Sequence, residues 1–136
     1  MRIRDNYPIV VTDRKDEARD FWQRFLGFRP VFDSSWFTLM TDEGSGSSIA
    51  FMTPDHPSAP PGPDAFAGTG ACFELEVDDA AAAYAELTGR GLAVTYPLID
   101  EPFGQRRFGF ADPSGLWIDV VEQIESESGY WDRYMQ

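Results

Sequence analysis

The sequence predicts an α+β fold in which two β-α-β-β-β units form a curled eight-stranded mixed sheet, with both helices outside the sheet. Three observations lead to this prediction. Short β-branched or alternating segments typical of strands accompany two segments of helical periodicity. A proline-rich stretch interrupts the 136 residues near their middle. The order of strand and helix signals before that stretch recurs after it, which indicates an internal repeat within one domain.

The first unit is predicted over residues 5–54 and begins with a β-branched strand, Tyr7–Thr12. Thr12 or Asp13 is expected to cap the following helix. Gly27 ends that helix because glycine tolerates the left-handed conformation beyond a helix terminus. Apolar residues at three- and four-residue spacings form its inner face: Ala18, Phe21, Trp22, Phe25 and Leu26. Three strands follow, with a turn at 42–47 before the last: Phe28–Asp33, Trp36–Met40 and Ser48–Thr53.

Five prolines between Pro54 and Pro63 exclude a helix or a central strand, so residues 55–69 are predicted to be a linker that is partly extended as polyproline II. The second unit is predicted over residues 70–124. Asp78 and Asp79 open its helix, which runs from Ala80 to Thr88. Its strands are predicted at Cys72–Val77, Leu92–Tyr96, Gln105–Ala111 and Leu116–Glu122, with a turn at Asp112–Gly115. Residues 125–136 form a tail with three aromatic residues: Tyr130, Trp131 and Tyr134.

Individual positions align the two units. Val11 and Asp13 match Val77 and Asp79, which places the first strands and the helix starts in register. The pair Gly27-Phe28 matches Gly91-Leu92, and the segment 49–51 matches 118–120. These matches support internal duplication, although few of the paired residues are identical.

The charge balance bears on partners and location. Eleven basic and 23 acidic residues give a formal net charge of −12. Such a chain repels phosphate groups, so we expect neither nucleic acid nor an anionic membrane as a partner. No apolar run reaches the roughly 20 residues that span a bilayer. The one cysteine, Cys72, cannot form an intrachain disulfide, which fits a reducing cytoplasm.

Four motifs carry a resemblance to a known family. They are Asp20-Phe21-Trp22 with Phe25-Leu26-Gly27-Phe28, then Val77-Asp78-Asp79 with Tyr84, Leu87 and Gly91, then Phe103-Gly104-Gln105-Arg106, and finally residues 112–119. In this order they resemble the glyoxalase/bleomycin-resistance/extradiol-dioxygenase superfamily, also called vicinal oxygen chelate proteins, over roughly residues 5–122. The resemblance implies two half-barrels around a central cavity, and partner exchange in the family implies a homodimer.

The resemblance also implies four metal-ligand positions. By register they fall on Asn6 (or Asp5), Ala50, Cys72 and Asp119, and Asp119 alone is a normal ligand for a hard metal. The single histidine, His56, lies in the predicted linker, so a site of two histidines and one carboxylate is excluded within one chain. The sequence therefore resembles the bleomycin-resistance-like, ligand-poor members. We predict no metal, no cofactor and no catalytic residue.

Strand alternation selects the candidate ligand-binding residues. Phe73, Leu75 and Val77 are expected to face the helix, which turns the intervening residues of that strand toward the cavity. The same argument places Trp117 and Asp119 on the cavity face and sends one of two neighbouring arginines inward. With two further aromatic residues, the predicted site comprises Trp36, Cys72, Glu74, Phe103, Arg106, Arg107, Trp117 and Asp119.

Simpler interpretations remain open at this point. Glu74 can be a solvated rim acid, and Cys72 a small buried hydrophobic residue. Asp119 can be the counter-ion of Arg106 or Arg107 rather than a ligand contact. The aromatic residues can be ordinary core.

The functional prediction is a metal-free protein that binds a small organic ligand in an aromatic and acidic cavity. The acidic balance favours a cationic ligand, because a negative cleft concentrates cations. One alternative is a metal-dependent lyase or isomerase of the glyoxalase type with unconventional ligands around Asp119, Glu74 and Cys72. Another is a partner-binding module that uses the aromatic tail.

Overall fold

The computed structural model describes residues 1–57 and 64–136 and contains the predicted order of two β-α-β-β-β units. Unit 1 comprises Met1–Gly70 together with the turn Asp112–Leu116. Unit 2 comprises Ala71–Ala111 and Trp117–Gln136. Residues 58–63 of the predicted linker lie outside the described residues.

In unit 1, four strands and one helix follow the predicted sequence of elements: β1 (Ile9–Val11), α1 (Lys15–Leu26), β2 (Arg29–Asp33), β3 (Phe37–Thr41) and β4 (Ser48–Met52). The strands are ordered β1-β4-β3-β2, with β1 parallel to β4 and the other pairs antiparallel. Trp22 of α1 is fully buried, and its Nε1 donates a 2.7 Å hydrogen bond to Asp112 Oδ2 in the turn. As predicted, Gly27 ends α1 in the left-handed conformation, at φ 73°.

Unit 2 repeats this arrangement: β5 (Cys72–Glu76), α2 (Ala80–Gly89), β6 (Tyr96–Glu101), β7 (Gln105–Ala111) and β8 (Trp117–Gln123). Its strand order is β5-β8-β7-β6, and β5 is parallel to β8. Asp79 caps α2, since its side chain accepts a hydrogen bond from Ala82 N. Of the helices in the described residues, the longer has 12 residues, too few to cross a bilayer.

The α+β class and the repeated unit are confirmed, but the single eight-stranded sheet is not. The strands form two separate four-stranded sheets, because each unit completes its own hydrogen-bonded ladder. The first strand of each unit, β1 or β5, is an edge strand of its own sheet. The curled sheet of eight strands therefore stays a prediction that the described ladders do not support.

The strand predicted at Leu92–Tyr96 is displaced. The structure places β6 at Tyr96–Glu101, so only Tyr96 is shared. Pro97 argued against a strand at this point, because proline cannot donate to a ladder. However, β6 is an edge strand, and its register shifts between Tyr96 and Ile99, where the proline is tolerated.

The predicted cap of α1 is also wrong. Arg14 occupies the N-cap position, and no side chain caps this helix end. Thr12 Oγ1 instead accepts a 3.1 Å hydrogen bond from Arg14 N, just before the helix. Asp16 and Glu17 in the first turn place negative charge near the free backbone N–H groups, which stabilises the helix end without a cap.

The ladders correct the alignment of the two units. Val11 pairs with Met52, and Glu76 pairs with Val121, so Val11 corresponds to Glu76 rather than to Val77. The position equivalent to Cys72 is therefore Tyr7 instead of Asn6 or Asp5. This alignment takes the predicted match of Ala50 with Asp119 as its reference, and these two residues pair with Ile9 and Glu74 in their ladders.

Candidate functional site

The sheet of unit 2 has two chemically different faces. On one face Phe108 packs edge-on against Tyr84 of α2, with ring centroids 5.3 Å apart, and Glu122 accepts a hydrogen bond from Ala80 N at the helix start. Side chains alternate along each strand, so residues next to these in sequence lie on the other face. Arg107 and Asp119 belong to that second face, which we call the open face of unit 2.

The open face carries a pocket of about 230 Å³ lined by Tyr96, Arg107, Trp117 and Asp119. We call it the Trp117 pocket. Its four lining residues come from three neighbouring strands, β6, β7 and β8, so the sheet itself fixes their spacing. Two of the residues supply aromatic rings and two supply opposite charges. Such a combination suits a small ligand that has an aromatic ring and a few polar groups.

Asp119 and Gly109 together set the position of the Trp117 indole. Trp117 Nε1 donates a 2.7 Å hydrogen bond to Asp119 Oδ1. The indole then lies across Gly109, where an added Cβ would come within 2.3 Å of Trp117 Cζ2. Only a residue without a side chain leaves room for the ring in this place. The indole is therefore a fixed wall of the pocket.

Arg107 is surrounded on several sides. Its Nη1 lies 3.2 Å from Asp119 Oδ2, and its Cζ lies 5.3 Å from the ring centroids of both Tyr96 and Phe103. Its Nε is buried without a hydrogen-bond partner, 3.7 Å from Glu101 Oε1. Glu101 Oε1 instead accepts a 2.5 Å hydrogen bond from Tyr96 Oη. The guanidinium is thus held between two rings and two carboxylates.

These contacts change the acidity of two pocket groups. Burial lowers the pKa of Arg107, but the negative charge of Asp119, the interaction with Tyr96 and the negative charge of Glu101 together outweigh it, so the net shift of the pKa is upward. The hydrogen bond to Glu101 raises the pKa of Tyr96 above its ordinary value of 10.0. Both groups therefore keep their protons throughout the physiological pH range, Arg107 as a cation and Tyr96 as a neutral donor.

Of the two adjacent arginines, Arg107 faces the pocket. Arg106 lies on the helix side, where its Nε is 2.6 Å from Asp100 Oδ1 and its Nη1 is 3.7 Å from Glu122 Oε2. Strand alternation predicted that one arginine turns inward, and the ladder register decides which one. Arg106 is not brought together with the other predicted site residues.

Two further predicted residues lie on β5 beside the pocket. In the parallel ladder Cys72 is opposite Trp117, and Glu74 is opposite Asp119, so both share the open face. Both are exposed, and neither lines the pocket. Cys72 is consequently not the small buried residue of the simpler interpretation. The position of Glu74 agrees with a solvated acid at the rim.

Trp36 belongs to unit 1, away from these elements in the chain. Its ring stacks on His56, with centroids 6.0 Å apart and planes 26° apart, and meets Phe37 edge-on at 5.8 Å. The remaining predicted residues all lie in unit 2. Trp36 therefore packs with aromatic residues of unit 1 and is not among the residues that line the Trp117 pocket.

Three residues of this site were not predicted: Tyr96, Glu101 and Gly109. Tyr96 was placed at the end of a displaced strand, which hid its position opposite Gly109 in the ladder. A glycine in the middle of a predicted strand was an available signal, because it marks a close approach to the backbone. Nothing in the sequence pattern distinguished Glu101 from the other acidic residues.

Three of the four positions implied by the resemblance hold residues that do not suit a metal. Ala50 has no donor atom, and both oxygens of Asp119 already accept N–H groups from Trp117 and Arg107. Cys72 is an exposed thiol on the edge strand β5. Within residues 1–57 and 64–136, no three His, Cys, Asp or Glu side chains are grouped as a metal site requires.

Comparison with known proteins agrees with this fold. The chain matches the family model described as the glyoxalase/bleomycin resistance protein/dioxygenase superfamily over residues 6–120. Since the match covers most of its length, the chain belongs to this superfamily. A search of curated proteins found no match.

Several solved structures share the fold of this chain. A superfamily member from Sphaerobacter thermophilus is 30% identical, with a TM-score of 0.66 and coverage of 90% of this chain and 98% of its own. TnmS3, an antibiotic-binding protein from Streptomyces sp. CB03234, is 26% identical, with a TM-score of 0.68 and coverage of 90% and 98%. A superfamily protein from Nocardioides shares the fold at 20% identity and a TM-score of 0.73, with coverage of 95% and 89%.

Proposed function

We propose that this chain is a metal-free binding protein whose Trp117 pocket holds a planar aromatic part of a small organic ligand. The observation that carries the proposal is the Trp117 indole, which Asp119 and Gly109 fix as one wall of the pocket. A fixed aromatic wall offers a stacking surface without the entropic cost of ordering a free side chain. The similarity to an antibiotic-binding protein supports a small organic ligand.

The size of the pocket limits how much of the ligand it holds. Its volume of about 230 Å³ is below the roughly 300–1,000 Å³ of sites that enclose drug-sized molecules. A fused ring system therefore fits better than a whole large antibiotic. The remainder of a larger ligand would extend along the open face past Glu74.

The charges around the pocket favour a cationic or neutral ligand. Arg107 is balanced by Asp119, and Glu101 and the exposed Glu74 on the same face add negative charge. A cation near the faces of Trp117 and Tyr96 also gains cation–π attraction. An anionic ligand would have to compete with Asp119 for the guanidinium.

A thermal-shift series with three acridines tests both the ring and the charge. The probes are 9-aminoacridine as the cation, acridone as the neutral compound and acridine-9-carboxylate as the anion. At equal concentrations we expect 9-aminoacridine to stabilise the protein most and the carboxylate least. A compound present at 100 times its dissociation constant should raise the free energy of unfolding by about 2.7 kcal/mol. A chain that none of the three stabilises, or that prefers the carboxylate, would contradict the proposal.

A matched pair of variants locates the binding. Gly109→Ala places a methyl group within 2.3 Å of Trp117 Cζ2 and must displace the indole, whereas Gly89→Ala at the end of α2 meets nothing within 4 Å. We expect the first to abolish the acridine shift and the second to keep it. Trp117→Leu removes the ring directly and replaces Gly109→Ala as the test variant if Gly109→Ala folds poorly.

We also propose that the protein is a cytoplasmic homodimer. Val31 and Phe32 on the edge strand β2 are 56% and 57% exposed, and an apolar edge favours association with a second copy. The exposed thiol of Cys72 favours a reducing compartment. Light scattering should give twice the monomer mass of 15.3 kDa, and a species of 15.3 kDa at micromolar concentration would exclude the dimer.

A further inference from the structure

A tight turn between β6 and β7 supplies two of the groups around Arg107. Phe103 covers the guanidinium with its ring, and Glu101 faces its buried Nε at 3.7 Å. Glu101 is the last residue of β6 and pairs with Gln105 in the ladder, whereas Phe103 lies in the turn, so the sheet alone does not fix the position of Phe103. Gly104 closes the turn at φ 108° and donates its N–H to Glu101 O.

The segment that follows β8 holds this turn by three consecutive carbonyl groups. Pro102 O accepts from Glu127 N, Phe103 O from Trp131 Nε1 and Gly104 O from Ile124 N, each at 2.9 Å. Every carbonyl of the turn's last three residues is therefore bonded to this segment. We call residues 124–136 the clasp.

The clasp also contacts the turn through side chains and close backbone approach. The Tyr130 ring lies 6.3 Å from the Phe103 ring and packs edge-on against Trp131 at 5.3 Å. A Cβ at Gly104 would meet Ile124 O at 2.9 Å, so the two backbones lie as close as glycine allows. Two aromatic residues of the tail, Tyr130 and Trp131, therefore contact the turn.

Resting on the proposed function, we propose that the clasp positions Phe103 against Arg107 and so sets the ligand preference of the Trp117 pocket. Trp131 is the principal positioning residue, since it bonds the carbonyl of Phe103 itself. Phe103 restricts the guanidinium to the plane in which it pairs with Asp119. Release of the turn would free Arg107 to meet a ligand carboxylate.

The first test needs no ligand and follows the Nε–Hε signals of the arginines by ¹H–¹⁵N NMR of the full chain. Trp131→Phe keeps an aromatic ring but removes the donor to Phe103 O, and Tyr134→Phe is the control on an exposed neighbour. We expect Trp131→Phe to shift the Arg107 signal and speed its hydrogen exchange at least several-fold. The Arg106 signal should stay unchanged, because Arg106 pairs with Asp100 on the other face.

The second test uses the acridine series. Trp131→Phe should lower the ratio of the acridine-9-carboxylate dissociation constant to the 9-aminoacridine dissociation constant several-fold. Tyr134→Phe should leave this ratio unchanged. If Trp131→Phe folds poorly, Glu127→Pro takes its place in both tests, because proline has no N–H to donate to Pro102 O.

The outcomes separate this inference from the proposed function. An Arg107 signal that is the same in Trp131→Phe as in the wild type would overturn the inference whatever the chain binds. A wild type that binds no acridine would defeat the proposed function, and the NMR comparison would still decide whether the clasp positions Arg107. A changed signal with an unchanged acridine preference would refute the role in ligand selection.

Discussion

Asp119 has two roles at the scale of the single residue. One oxygen orients the Trp117 indole and the other pairs with Arg107, while the side chain is only 7% exposed. The sequence left open whether this acid is a ligand contact or the counter-ion of an arginine. The contacts show Asp119 as the counter-ion of Arg107, and under the proposed function its part in ligand binding is to hold the Trp117 ring.

We therefore expect Asp119→Asn to reduce stability. It removes the charge that balances Arg107, and loss of a hydrogen bond to a charged group should lower the free energy of unfolding by about 1.5–3 kcal/mol. Urea unfolding measures this change. Asp100→Asn is the matched control, since the exposed Asp100–Arg106 pair should contribute about 0–1 kcal/mol. Equal effects of the two variants would show that Asp119 is no more than a surface acid.

At the scale of the element, every strand but one was predicted within two residues of its observed bounds, and the exception is the edge strand β6. β7 was predicted at its observed bounds, Gln105–Ala111. β6 was displaced, because Pro97 obscured an edge strand that needs fewer hydrogen bonds. That displacement also concealed Tyr96 as a pocket residue, so an error in one element became an error in the site.

The cap of α2 gives a prediction at this scale. Asp79→Ala removes the acceptor for Ala82 N, whereas Asp78→Ala removes the same charge from the preceding position without touching the cap. We expect the first variant to lower the free energy of unfolding by about 1 kcal/mol and the second to leave it nearly unchanged. Thermal unfolding compares them. If the two variants lost the same stability, charge rather than capping would explain the effect.

At the scale of the whole molecule, the order of elements carries the fold and the family. The repeat of strand and helix signals predicted two β-α-β-β-β units, and the resemblance of four motifs predicted the superfamily to which the chain belongs. It was not sufficient to predict the ligand, because one fold hosts many functions. Ala50 and Asp119 show why: they occupy equivalent ladder positions, yet only the second carries a functional group. The chemistry at a given position of this fold therefore depends on which side chain occupies that position.

A calorimetric titration of 9-aminoacridine into chelator-treated protein tests the central claim most directly. The titration is run on the wild type, on Gly109→Ala and on Gly89→Ala, each with and without added zinc or nickel. We expect binding near one ligand per chain in the wild type and Gly89→Ala, with an affinity that the metals leave unchanged, and none in Gly109→Ala. Binding that appears only with metal, or that survives intact in Gly109→Ala, would contradict a metal-free site built on the Trp117 indole.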